Sequence, residues 1–284
     1  MGIVGSILYL LLALQEPVLP PAQAPTQAPA PAQEQPAAPP PPPIFRTADG
    51  PILIPNQCGE VDLGALGLTC SETEPCPTYF EVSNVEAISS IVVLAGNLHT
   101  QASTLQSILL FSEDSGATWK ESHPRLKASA LESMQFVDFS TGWVAGQTSL
   151  ALPRDPFILH TTDGGRSWRK AELFSESRVG VIEDFAFQDG KRGWLLIDNR
   201  GSGEAGKYEL YESQTGGSSW ELREISARIP RTAQTAKRVP SNSARVRIDD
   251  KKGLIRIEAR SGNTWREISS FKVRVEDCKP SPAP

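Results

Sequence analysis

The chain has 284 residues, with 28 lysines and arginines against 33 aspartates and glutamates, so its formal net charge is −5. This acidic balance argues against a nucleic-acid-binding protein, which would present clustered positive charge. The four cysteines include no Cys-x-x-Cys pair and only three histidines accompany them. A zinc site is therefore not expected, and we predict no metal and no cofactor.

The amino terminus carries an apolar run of twelve residues, 3–14, and the first Lys or Arg is Arg46. This run is shorter than the roughly 20 residues that a spanning helix needs, and its length is typical of the core of an export signal. We predict that residues 1–16 are a signal peptide or a short membrane anchor. The protein is accordingly expected to be extracytoplasmic: periplasmic, secreted or tethered to a membrane by its amino terminus.

A proline-rich segment follows, and residues 17–43 contain 12 of the 24 prolines. Such a segment cannot form a sheet ladder or a packed helix, and it favours an extended polyproline II spacer. We predict a disordered linker over residues 17–44 and one folded domain over residues 45–278. Residues 279–284 are predicted to be a disordered tail.

The four cysteines are Cys58, Cys70, Cys76 and Cys278. An even number of cysteines in an exported chain favours disulfides, for which three connectivities are open. The spacing favours a small Cys70–Cys76 loop and a Cys58–Cys278 bond between the two ends of the domain.

A repeat dominates the folded region. The sequence ILHTTDGGRSW at residues 158–168 has degraded copies at residues 110–119, 210–220 and 257–265. The last residues of these copies are tryptophans spaced by 49, 52 and 45 positions, and a near-constant period of this size predicts an array of similar units. The four are Trp119, Trp168, Trp220 and Trp265.

Each copy is predicted to form two strands joined by a tight turn. A glycine three residues before each tryptophan permits positive φ in the turn, and Asp114 or Asp163 can accept hydrogen bonds from the turn's own N–H groups. The tryptophan buries a large apolar ring. These roles are structural. The glycines are Gly116, Gly165, Gly217 and Gly262.

A second, fainter repeat lies between the copies. Trp143 and Trp194 each follow a Phe-rich strand pattern and a glycine, 25 and 26 residues ahead of the next turn tryptophan. The same count back from Trp119 reaches residues 92–96, which lack the tryptophan. We predict that Trp143 and Trp194 lie on a second equivalent strand.

The turns resemble the Asp-box, or bacterial neuraminidase, repeat Ser-x-Asp-x-Gly-x-Thr-Trp. Residues 112–119 match every position, residues 161–168 match with hydroxyl swaps, and the last two copies have Thr215 and Arg260 in place of the Asp. Together with the second repeat, the pattern is similar to the photosystem II stability/assembly-factor-like family of β-propellers. That resemblance covers about residues 80–270, and it implies a propeller fold and a protein-binding role.

The predicted fold is an all-β propeller of about four blades, with four antiparallel strands in each blade. The fourth unit has no clear first strand, and residues 45–80 leave open a fifth, incomplete blade. A ring must also be closed, because a terminal unit otherwise exposes an unpaired edge. Residues 271–275 (FKVRV) are predicted to be a closing strand that pairs with the first blade or with an amino-terminal strand.

Sialidases also carry Asp-boxes, so an enzyme is an alternative. Those enzymes also share an Arg-Ile-Pro motif near the start, an arginine triad and a Tyr/Glu pair. Here residues 45–47 are only a fragment of the motif, and residues 228–230 spell it after the third repeat, where the family does not place it. We therefore predict no catalytic residues.

Charge is unevenly distributed. Residues 221–284 hold 15 Lys and Arg against 8 Asp and Glu, and a long basic connection spans residues 228–247. Its simplest interpretation is a solvated loop, and the alternative is a binding site for an acidic protein or an anionic envelope polymer. The candidate residues are Arg228, Arg231, Lys237 and Arg238. The sequence thus favours a noncatalytic interaction or assembly scaffold, the alternative being an Asp-box glycan-binding protein or a sialidase-like glycosidase.

Overall fold

The computed structural model describes residues 43–199, 206–230, 244–249 and 251–281. The predicted signal segment, the linker up to residue 42, and the three candidates Arg231, Lys237 and Arg238 lie outside the described residues. No helix within the described ranges is long and apolar enough to cross a membrane.

The described residues form an all-β fold, as predicted, with one short α-helix. The amino-terminal elements are β1 (Ile44–Arg46), a 3-10 turn (Thr47–Asp49), β2 (Ile52–Ile54), β3 (Gln57–Gly59) and α1 (Glu60–Ala65). The next group is β4 (Tyr79–Ile88), β5 (Ile91–His99), β6 (Thr104–Ser112), β7 (Thr118–Glu121), β8 (Leu126–Lys127), β9 (Ser129–Phe136), β10 (Gly142–Ser149), β11 (Pro153–Thr161) and β12 (Arg169–Glu172). The last group is β13 (Val181–Phe187), β14 (Gly193–Asp198), β15 (Tyr208–Ser213), β16 (Glu221–Ser226), β17 (Ala244–Asp249), β18 (Leu254–Ser261), β19 (Thr264–Val275) and β20 (Lys279–Ser281).

These strands build four main sheets in chain order. Sheet 1 has the order β1-β7-β6-β5-β4, with β8 beside β6; sheet 2 has the order β12-β11-β10-β9; sheet 3 has the order β13-β14-β15-β16. Sheet 4 has the order β17-β18-β19-β2. In the first three, consecutive antiparallel strands join as a meander, which is the outcome expected of short alternating runs separated by turn residues.

The core lies between the sheets. Val93 and Phe111 of sheet 1 pack in one buried cluster with Val144 and Leu159 of sheet 2. Another cluster joins sheets 2 and 3, and a third joins sheet 1 to sheet 4 through such side chains as Ile257. The hydrophobic effect therefore acts mainly between neighbouring sheets, as it does in repeat architectures.

The amino-terminal segment adds strands to both the first and the last of these sheets. β1 pairs antiparallel with β7, and β2 pairs parallel with β19 through Val273 opposite Ile52. The predicted closing strand at residues 271–275 is thus not a separate element, because it continues β19 without a break. It does pair with an amino-terminal strand. Residues 44–59 form no further four-stranded sheet within the described part of the chain.

Both disulfides favoured by the cysteine spacing are present. Cys58 is bonded to Cys278, and Cys70 is bonded to Cys76. Beside the first bond, β20 pairs parallel with β3. The prediction of a disordered tail was therefore wrong for residues 279–281, because the disulfide holds them against β3. The predicted end of the linker was also late, since Ile44 already belongs to β1.

Candidate functional site

The first two Asp-box turns have the same hydrogen bonds. Ser112 Oγ accepts from the Gly116 N–H at 2.8 Å, and Thr161 Oγ1 accepts from the Gly165 N–H at 3.0 Å. The carboxylate of Asp163 accepts from the Ser167 N–H at 3.0 Å and from the Ser167 hydroxyl at 2.5 Å. Each carboxylate is therefore engaged by its own turn.

These bonds also set the charge of the two aspartates. Partial burial by itself would raise the pKa of Asp163, but the hydrogen bonds from Ser167 and Thr161 outweigh it and hold that pKa below its usual value. The same balance, with Thr118 and Ser112 as donors, lowers the pKa of Asp114. Both groups are therefore fixed carboxylates at neutral pH, and neither is a proton donor.

The third copy keeps the turn without the aspartate. Ser213 Oγ accepts from the Gly217 N–H at 2.9 Å, and Thr215 Oγ1 accepts from the Ser219 N–H at 2.9 Å. The same threonine hydroxyl lies 2.9 Å from the Ser219 hydroxyl, so it replaces both carboxylate contacts of the second box. This explains how the repeat survives the loss of Asp at this position.

The box glycines lie against a neighbouring sheet. A Cβ added at Gly165 would lie 2.7 Å from Cγ2 of Val93 in sheet 1, and one added at Gly116 would lie 2.5 Å from Ser269 in sheet 4. Both glycines have positive φ, +90° and +86°. Gly217 likewise faces Trp143 of sheet 2. The box turns therefore pack directly against a neighbouring sheet, and this contact is a structural role.

The fourth copy is not an Asp-box turn, which corrects the prediction for Gly262 and Trp265. Ser261 pairs directly with Thr264, so the connection is a two-residue hairpin loop. Gly262 has a φ of +61°, and no atom lies within 4 Å of a Cβ built on it. With Arg260 in the place of the Asp, no short acceptor organises the longer turn. Trp265 is half-buried and its ring faces Arg245 at 4.3 Å.

The remaining turn tryptophans differ in their contacts. Trp119 and Trp168 are buried, and their Nε1 atoms donate to the carbonyls of Gly116 and Gly165 at 3.0 and 3.1 Å. Trp220 is half-buried, and its Nε1 has no acceptor among the described residues.

Trp143 and Trp194 occupy equivalent positions, as the second repeat predicts. Each is the second residue of its strand, and the glycine before it pairs with the hydroxyl residue of a box, Thr161 or Ser213. The Trp143 ring is fully buried and stacks on Phe187 with centroids 3.7 Å apart. Its Nε1 donates to the Gly216 carbonyl of sheet 3 at 2.9 Å, so it also joins neighbouring sheets.

Of the four candidate partner-binding residues, only Arg228 is described. It is exposed just after β16, which is the outer strand of sheet 3. Leu222 and Ile225 of β16 are also exposed, by 44% and 41%. The structure thus places Arg228 beside an accessible strand and does not test the other three candidates.

The structure contains one polar cluster, of Arg178, Glu209 and Tyr211, that was not predicted from the sequence. Glu209, with 7% of its surface exposed, accepts from Arg178 at 2.7 Å and from the Tyr211 hydroxyl at 2.7 Å. Arg178 stacks on Phe174 at 4.3 Å. The only local signal was the i, i+2 spacing of Glu209 and Tyr211 on one strand, which places both on one face but does not reveal the arginine.

The protonation states of this cluster do not favour a tyrosine nucleophile or a carboxylic general acid. Burial raises the pKa of Tyr211, and the hydrogen bond and negative charge of Glu209 raise it further, to about 12. The phenol therefore stays protonated. Burial would raise the pKa of Glu209, but the hydrogen bonds from Tyr211 and Arg178 lower it. An anionic carboxylate so engaged cannot supply the proton that a glycosidase's general acid must give to the leaving group.

No family model matches the sequence. The chain is 29% identical over 112 residues to the photosystem II assembly lipoprotein Ycf48 of Synechococcus sp. (strain CC9902), and the match covers 39% of this chain and 29% of that protein. The chain thus matches less than a third of that relative's length.

Three solved structures share remote similarity. YCF48 bound to D1 peptide matches with a TM-score of 0.35 and 17% identity, over 70% of this chain and 58% of that chain. A GH74 xyloglucanase from Xanthomonas campestris has a TM-score of 0.35 and 17% identity, over 58% and 24%. An α-L-arabinofuranosidase from Fusarium graminearum has a TM-score of 0.33 and 11% identity, over 70% and 62%. Similarity at this level assigns neither function nor substrate.

Proposed function

We propose that this protein is a noncatalytic, extracytoplasmic β-propeller of four blades that serves as a protein-interaction or assembly scaffold. In this proposal sheets 1–4 are the blades, packed in the order 4-1-2-3, and the amino-terminal strands β1 and β2 extend sheet 1 and sheet 4. The array is proposed to be open on the side of sheet 4 that points away from sheet 1. The observation that carries the proposal is that the polar groups of the boxes are hydrogen-bonded within their own turns and that the box glycines pack against neighbouring sheets. The repeat is the strongest motif of the sequence, and in this proposal its residues have a structural role and no catalytic role.

The choice of a protein partner draws on the similarity to an assembly lipoprotein. A protein of that name has been solved with a D1 peptide bound to it. Photosystem assembly itself is not part of the proposal, since the similarity covers 39% of this chain. The extracytoplasmic location is supported by the two disulfides, which persist in oxidising compartments.

The binding region of the proposal is the basic connection that begins at Arg228, with Arg231, Lys237 and Arg238 as its contact residues. Positive side chains on an otherwise acidic protein would attract an acidic surface, and they would do so most strongly at low salt. An anionic envelope polymer is the other ligand of this charge type. The amino-terminal segment would tether the scaffold near that partner.

The proposal is tested with the full chain, purified with its disulfides intact. Crosslinking in an envelope extract, followed by mass spectrometry, should recover a protein partner whose yield falls when Arg231, Lys237 and Arg238 are reversed to Glu. A glycan array and a panel of chromogenic glycosides are screened in parallel. Hydrolysis of a glycoside, or glycan binding without a protein partner, would establish the Asp-box glycosidase or lectin alternative and refute the scaffold.

A further inference from the structure

Sheet 4 has two chemically different faces. Ile255, Ile257 and Phe271 are buried and belong to the cluster shared with sheet 1. Successive residues of a strand point to opposite faces, so Arg256 and Lys272, which alternate with them, lie on the face that points away from sheet 1. That second face is exposed or half-buried along β18 and β19.

This second face is rich in cations, and we call it the cationic face. The β-ladder registers place three acidic residues on it, Asp249, Glu258 and Glu267, so positive charge exceeds negative charge by three. Glu258 is shared by two arginines, with Arg245 at 2.5 Å and Arg247 at 3.3 Å. The cations of the face are Arg245, Arg247, Arg256, Arg260, Lys272 and Arg274.

The most unusual feature of this face is a like-charge pair. Arg247 on β17 is directly opposite Arg256 on β18. Directly opposed side chains lie about 4.5–5.5 Å apart at Cβ, and like charges there destabilise a sheet. Neither Lys272 nor Arg274 has a salt bridge within the described part of the chain. Glu258 lies 3.3 Å from Arg247 and Glu267 lies 3.9 Å from Arg256, so the repulsion within the pair is partly offset. The excess of three positive charges on the face remains, and a bound anion would offset it.

The corresponding faces of other sheets are apolar. Val93 and Phe111 of sheet 1 face sheet 2, and Trp143 and Ile158 of sheet 2 face sheet 3, all of them buried. The cationic face cannot accept such a neighbour without desolvating its charges, which would be costly. It is thus suited to a polar ligand and not to another sheet of this kind.

We propose that the cationic face docks an extended acidic segment of a partner polypeptide. Arg245 and Arg247 are two residues apart on one strand, as are Lys272 and Arg274, which spaces each pair by about 6.5–7 Å. Carboxylates at alternate positions of an extended peptide have that same spacing, and guanidinium groups bind carboxylates through two hydrogen bonds. Leu53, which pairs with Arg274 and is 46% exposed, adds an apolar contact suited to a peptide more than to an anionic polysaccharide.

This inference rests on the proposed scaffold function and names the chemistry of its partner. It also extends the proposed contact from the basic connection to a rigid surface, because the last residues of that connection, 244–247, belong to β17. A rigid sheet face requires less ordering on binding than a loop does.

The test uses fluorescently labelled poly-L-glutamate, with fluorescence anisotropy measured on the full chain at low and at physiological salt. The variant is R247E/R256E, and the matched control is R169E/K191E, which makes the same charge change at exposed positions outside sheet 4. We expect at least about tenfold weaker binding for the first variant and less than about twofold for the control. Circular dichroism verifies that both variants fold.

A second variant separates binding from stability. Arg256→Gln removes the like-charge repulsion and also an exposed ion pair with Glu267 at 3.9 Å, and exposed ion pairs contribute little to stability. Its thermal midpoint should therefore equal or exceed that of the wild type while poly-L-glutamate binding falls. Equal weakening by the control, or no binding by the wild type, would overturn the inference, as would binding of dextran sulfate in preference to poly-L-glutamate. If the poly-L-glutamate test fails while a protein partner still crosslinks in the envelope extract, only this inference is refuted and the proposed scaffold function is not. The two failures are therefore distinguishable.

Discussion

Substitution of equivalent box glycines by alanine distinguishes the true Asp-box turns from the hairpin that replaces the last one. Gly165 and Gly262 both stand three residues before a tryptophan, and both have positive φ. An alanine in a left-handed conformation costs about 1–2 kcal/mol at either position. Only at Gly165 does the new Cβ also collide, 2.7 Å from Val93 Cγ2.

The collision adds an overpacking cost of about 1–3 kcal/mol, because Val93 is buried in a packed cluster. Gly165→Ala should therefore lower the free energy of unfolding by about 2–5 kcal/mol, and Gly262→Ala by about 1–2 kcal/mol. For a domain of this size the difference corresponds to about 2–12 °C in Tm. Urea unfolding followed by far-UV circular dichroism, with disulfides intact, measures both variants.

The matched control is Gly190→Ala. Gly190 does not have positive φ, and its added Cβ meets Thr141 at 3.7 Å, an ordinary contact. Its effect should stay within about 0.5 kcal/mol, as for most surface substitutions. Equal losses at Gly165 and Gly262 would refute the claim that the box glycine is required by its approach to the preceding sheet.

Three further outcomes are expected. Trp168→Ala should cost about 3–5 kcal/mol in the same urea assay, and a cost below about 1 kcal/mol would contradict a core role. Alkylation of the unreduced protein should detect no free thiol. Replacing Cys58 and Cys278 by Ser should lower the free energy of unfolding by about 4–5 kcal/mol in the chain-entropy model. A modified thiol in the first experiment, or an unchanged urea midpoint in the second, would count against the bond. Because hydrogen bonds lower the pKa of Asp163, its stabilising effect is present above the unfolded pKa of 3.8 and is lost as pH falls through the lower folded value. Asp163→Asn should therefore reduce stability at pH 7 and approach the wild type as pH falls below 3.8, and a gap that does not shrink in that range would exclude this linkage.

Local patterns predicted the elements well. The hydroxyl, carboxylate and glycine of the first two boxes lie within a few residues of one another, so their turn chemistry is readable from the sequence. The strand pattern around Trp143 and Trp194 is similarly local. The prediction of an Asp-box turn was wrong for the fourth copy, because its Gly and Trp keep the spacing while Arg260 stands in place of the acceptor that shapes the turn.

Long-range contacts were harder to predict. Nothing in the three residues of β1 or β2 indicates which sheet each joins, because edge pairing is made through the backbone. Arg178 is 31 positions from Glu209, so their ion pair has no sequence signature. The cationic face requires the register that sets Arg247 opposite Arg256, whereas the sequence shows only that residues 221–284 are basic.

The bond between Cys58 and Cys278 has a consequence for biosynthesis. Its partners are 220 positions apart, so ribosomal synthesis must pass Cys278 before the bond can form. Until then Cys58 lacks its native partner, and β2 lacks the strand beside which it pairs in sheet 4. Maturation of this chain is therefore completed after synthesis and is limited by the arrival of its carboxy-terminal region and by the local oxidant, however early the middle sheets assemble.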